Sequence, residues 1–188
     1  MLRRPSLSLA ATAVLVLALA TPASAHSSTV SDPTGDISAT EPAYLDIVAA
    51  KITEQVGTAT LYLMIEHTVA IPDAPTGFRA WNWFISASSS SPPMYVATVR
   101  FCAAPVAACA STPRWETILL DLTTTPPTVT FNAFPFKVDG ATVKAFVGAD
   151  QLGLAGDASF AWSTASRSSP AVPGNPIADR TAASSFSR

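Results

Sequence analysis

From Asp32 to Val48 the chain reads D-P-T-G-D-I-S-A-T-E-P-A-Y-L-D-I-V, which gathers Asp32, Asp36, Glu41 and Asp46 into a turn-rich lead-in before an apolar run. Carboxylates crowded together repel one another unless a cation sits among them. Proline and glycine inside D-P-T-G-D fold the segment sharply, drawing Asp32 towards Asp36 and freeing backbone carbonyls as further donors. Calcium takes roughly six to eight hard oxygens, and this mixture supplies that kind of ligand. Asp46 enters where the strand starts. A late A-D-R adds Asp179, because the two ends of a sandwich domain often lie close together. The expected metal set is Asp32, Asp36, Asp46 and Asp179, holding a structural calcium. The competing reading has the same aspartates capping turns through backbone N–H groups.

Histidine offers a second chemistry. Cleavage after Ala25 would leave His26 as the first residue, and its free amine and imidazole, with His67, have the neutral nitrogen donors that suit copper. For a sugar, Trp115 offers a stacking surface and Arg79 and Asn82 offer polar partners. Trp81 and Trp83 share parity with Ile85 and are expected in the core. Cys102 and Cys109, in F-C-A-A-P-V-A-A-C-A, are expected to form a disulfide at a hairpin end. In the chain-entropy model a loop that short adds about 2.5 kcal/mol. Catalysis finds no G-x-S-x-G, H-E-x-x-H, P-loop or S-x-x-K motif, and nothing in the spacing selects a serine for His67 or a pair of glutamates.

The elements that must position these residues read as strands. Alternating or continuous apolar runs predict strands over 44–53, 60–69, 80–87, 94–102, 115–122, 128–134, 141–147 and 159–164, eight in all. The run 60–69 is apolar on both parities, which predicts a central strand covered on both faces. Asp139-Gly140 marks a two-residue hairpin turn. No stretch longer than a turn or two carries a helical period. Many short strands separated by Pro, Gly and Ser predict an all-β fold, an antiparallel β-sandwich of jelly-roll-like or immunoglobulin-like kind. The tail from about 167, with Pro170, Pro173 and Pro176, reads as irregular.

M-L-R-R, an apolar run over 7–20 and T-P-A-S-A together read as a secretory signal peptide over 1–25, followed by a single domain over 26–188. Secretion to the extracellular space is the expected destination. No later apolar run is long enough for a spanning helix. Loss of Arg3 and Arg4 with the leader makes the remainder more acidic than the formal −2 of the whole chain, which argues against a nucleic-acid partner. A monomer is expected.

Several short motifs, namely D-P-T-G-D, Y-L-D-I, L-Y-L-M-I-E leading to I-P-D-A-P, V-D-G-A-T-V, A-D-Q-L-G-L with F-A-W, and the late A-D-R, give the chain a further aspect. In these it resembles the DOMON-like secreted bacterial β-sandwich domains, related in fold to family-nine carbohydrate-binding modules. The resemblance implies a sandwich that binds sugars, haem or a metal, or serves as an accessory domain, without chemistry of its own. Three functional readings stand open. The first is a non-catalytic binding or accessory domain for a glycan or cell-surface component. The second is a copper-binding protein or redox enzyme, and the third is a purely structural surface module.

Overall fold

The computed structural model describes residues 25–55, 57–103, 112–154, 159–169 and 177–187. The leader expected over 1–25 lies outside them except for Ala25, and so does Cys109. The strands are β1 (Ala25–Ser31), β2 (Ile47–Gln55), β3 (Thr60–His67), β4 (Phe78–Ser86), β5 (Pro93–Cys102), β6 (Arg114–Asp121), β7 (Thr128–Phe131), β8 (Phe136–Asp139), β9 (Thr142–Gly148), β10 (Ser159–Arg167), β11 (Asp179–Arg180) and β12 (Ser184–Ser187). Two short 3-10 turns, Ala43–Leu45 and Asp150–Leu152, complete the set. All pairings are antiparallel. One sheet runs β1-β2-β3-β9-β8, and the other runs β11-β10-β4-β5-β6-β7 with β12 also paired to β10. The fold is an antiparallel β-sandwich. No helix among the described residues is long and apolar enough to cross a membrane.

Period-two alternation puts one side of each sheet into a shared core. Leu61, Leu63 and Ile65 of β3, Trp81, Trp83 and Ile85 of β4 and Trp162 of β10 are fully or almost fully buried there. Large aromatic side chains filling the gap between sheets remove most of the apolar area from water, which is the main driving force for this packing.

Four departures from the sequence reading have physical reasons. The described residues form twelve strands where eight were expected. β1 and β12 are rich in serine, β11 is two residues long, and β8 is four, so none carries a readable apolar period. The first expected strand starts three residues late, because Pro42 opens the 3-10 turn Ala43–Leu45. β3 is covered on one face only: Tyr62 and Glu66 point outward and are exposed, since the second sheet lies on the other side. The irregular tail expected from about 167 is instead partly ordered. β10 continues to Arg167, β11 and β12 pair with it, and buried Phe186 stacks on Phe160 at 5.1 Å between centroids.

Candidate functional site

The D-P-T-G-D loop leaves the end of β1 and is held against the start of β2. The Asp32 N–H donates to the Val48 carbonyl at 2.9 Å, extending the β1–β2 ladder by one step. Gly35, in the left-handed region at φ +78°, turns its N–H onto Asp46 Oδ2 at 2.9 Å. A side chain bearing Cβ would be strained at that φ. Asp179 arrives from β11 in the other sheet. Its Oδ2 accepts the Ile47 N–H at 2.5 Å and its Oδ1 the Arg180 N–H at 2.6 Å, so it joins the two sheets at one end of the sandwich. Carboxylate oxygens of Asp32, Asp36 and Asp179 all lie within 4.8 Å of one another.

Asp46 stands beside this triad, only 4% exposed, and acts electrostatically on both Asp32 and Asp179. Its Oδ1 and the Oδ2 of Asp32 are buried without a hydrogen-bond partner. None of the four carboxylates forms an ion pair among the described residues. Burial, then the charges of Asp179 and Asp36, a hydrogen bond shared with Asp179 and the charge of Asp46 push the Asp32 pKa up to about 7. Burial also raises Asp179, while the N–H groups of Ile47 and Arg180 hold it down and the charges of Asp36 and Asp46 raise it again. Buried acceptors without donors, in a cluster of one charge sign, fit a hard divalent cation. Every donor is an oxygen, which favours calcium or magnesium over copper or zinc.

The sugar trio is not brought together. Trp115 lies at the core side, stacked on Trp81 at 5.5 Å with 23° between planes, and its Nε1 donates to the Asp73 carbonyl at 2.8 Å. Phe101 meets its edge. Arg79 donates through Nε to the Tyr44 hydroxyl and through one terminal nitrogen to the carbonyls of Phe78 and Ser168. Asn82 is on the opposite face of β4 from Arg79, as period two requires. Nor do the histidines meet. His26 pairs with Glu54, which pairs with Leu61, six residues along β3 from His67 and so about 20 Å away. That distance rules out one copper ion shared by both. His67 is buried against Trp81 with neither ring nitrogen hydrogen-bonded. Burial lowers its pKa to about 4, opposed by the Asp46 carbonyl. Cys102 is buried at the end of β5, and its expected partner Cys109 falls outside the described residues.

A second feature takes in only Asn82 among the residues picked from sequence. The outer face of the larger sheet forms an apolar groove of about 510 Å³, floored by β4, β5 and β6 and bounded by Phe131 of β7 and Arg167 of β10. Phe78, Ala80 and Phe84 of β4 and Ile118 and Leu120 of β6 line it. The signal was present in the sequence, since β4 is apolar on both parities although only one can face the sandwich interior. No family model, curated protein or solved structure matches this chain.

Proposed function

We propose that this chain is an exported binding module without chemistry of its own, in which calcium bound by Asp32, Asp36, Asp46 and Asp179 fastens the N-terminal loop to the C-terminal strands. The observation that carries the reading is the meeting of two carboxylates of the N-terminal loop with Asp179, far away in sequence, beside a fourth, with two buried oxygens left without donors. A cation there supplies charge neutralisation and a cross-link between the sheets, and Asp32 gives up its proton when it binds. Of the residues first assigned to a sugar, Trp115 stacks on Trp81 and Arg79 binds the Tyr44 hydroxyl on the inner side of the larger sheet, while Asn82 lies on its outer face, so ligand recognition passes to that outer face.

Thermal unfolding followed by circular dichroism tests the cation. A cation that binds only the folded state stabilises it by about 2.7 kcal/mol at a hundred times its dissociation constant. Calcium should therefore raise Tm, chelator should reverse the rise, and Asp36→Asn should abolish the response. Superimposable curves with calcium and with chelator would remove the cation from this account.

A further inference from the structure

We propose that the outer face of the seven-stranded sheet binds a free single-chain amphiphile with a carboxylate head, its hydrocarbon lying over Phe78, Phe84 and Phe131 and its head meeting Arg167 and Arg180. The inference rests on reading the chain as a binding module. It does not depend on the cation site.

An antiparallel sheet with one solvated face normally alternates apolar inward with polar outward. Here the outward positions of β4 are apolar as well: Phe78 and Ala80 form a buried floor, and Val129 and Phe131 of β7 stand exposed beside it. Phe131 is 57% exposed and Val129 48%, side by side on the groove wall. Contiguous exposed apolar surface of this kind marks an interaction site. A volume of about 510 Å³ also falls in the range of roughly 300–1,000 Å³ usual for small-ligand sites.

The polar groups of the floor decide what kind of body fits. Thr98 Oγ1 donates to Asn82 Oδ1 at 2.9 Å, and Asn82 Nδ2 donates to the Ala165 carbonyl at 3.2 Å. Arg100 is held by Glu116, Nε to Oε1 at 2.6 Å. These groups already have partners, so the floor suits hydrocarbon better than a ring of hydroxyls.

Charge decides the head. Arg167 and Arg180 project from β10 and β11, and the register opposes Arg180 to Ala165, two residues before Arg167 on the same face. Neither arginine has a carboxylate partner among the described residues. The Arg180 guanidinium lies over the Phe84 ring at 5.2 Å, where the apolar floor begins. Burial and the charge of Arg180 both lower the Arg167 pKa, so an anion between the two relieves a repulsion present in the free protein. Two guanidinium forks match the planar, bidentate geometry of a carboxylate. A second copy meeting this face with its own would present the same arginine pair and the same apolar floor, and the acid on that face, Glu116, is already held by Arg100 and Arg114.

The test is calorimetric titration of the full processed chain with laurate below its micelle concentration, alongside methyl laurate and vesicles of phosphatidylglycerol. Laurate should saturate at one per chain, with methyl laurate about tenfold weaker, as expected for losing a charge-assisted contact. Arg167→Ala and Arg180→Ala should each weaken laurate by a similar factor and leave the ester unaffected. Phe131→Ser, on a solvent-facing strand, should weaken both ligands, whereas Tyr62→Ser on the opposite sheet should change neither. Equal affinity for acid and ester, no saturable laurate binding by a chain with an intact melting transition, or binding to vesicles alone would overturn the proposal. Release of laurate from the ester would overturn it through the non-catalytic reading on which it rests. Saturable binding of another ligand unaffected by the groove variants would overturn it while leaving the module reading in place.

Discussion

Burial and neighbouring carboxylates raise the pKa of Asp32 to about 7, whereas burial lowers that of His67 to about 4. The two push stability in opposite directions. An acid whose folded pKa is raised binds more protons folded than unfolded, so without cation its contribution falls as pH rises from about 4 to about 7. A histidine whose folded pKa is lowered binds fewer protons folded, so its contribution falls as pH drops from about 6.5 towards about 4. Saturating calcium should remove the first dependence and expose the second. In excess calcium, His67→Phe should flatten a loss of about 3 kcal/mol between those limits, read from urea unfolding at several pH values. An unchanged slope would mean that His67 becomes solvated before it titrates. Calcium affinity should itself rise with pH until Asp32 is ionised at about pH 7, and calorimetry would show a flat profile if Asp32 were not a ligand. Sequence spacing makes the local part of this cluster legible, because acid, proline and glycine within five residues force a turn. It does not reveal that Trp115 is engaged, since that depends on Trp81 two strands away and on the Asp73 carbonyl.

At the level of elements, β5 and β6 are joined outside the core by Arg100 and Glu116, both less than a tenth exposed, with Arg114 on the second carboxylate oxygen at 3.1 Å. Removing one member of a buried pair strands the other charge, at a cost of about 3–5 kcal/mol. Glu116→Ala should lose that much in urea unfolding, and Arg100→Met with Glu116→Leu should recover a large part of it. A loss below about 1 kcal/mol for the single change would place the pair in water. The long strands were legible because each carries several apolar residues at period two. β12 was not: S-S-F-S has one apolar residue, and only its pairing with β10 shows where Phe186 goes. Phe186→Ala should therefore cost about 3–5 kcal/mol, as for a core aromatic, where a frayed tail would give no more than about 0.5. Both values come from the same denaturation experiment.

Across the whole molecule, the first and last strands meet. Ser28 of β1 shares a hydrogen bond with Ser184 of β12 at 3.1 Å, and the Trp162 indole donates to the Ser28 hydroxyl at the same distance. A second such closure has Asp179 reaching from β11 to the backbone of β2. The sandwich is thus closed by segments far apart in sequence, and long-range closure of this kind slows folding of all-β chains. A polypeptide emerging from the ribosome N-terminus first therefore keeps its hydrophobic interior open until Asp179 and Phe186 have been made.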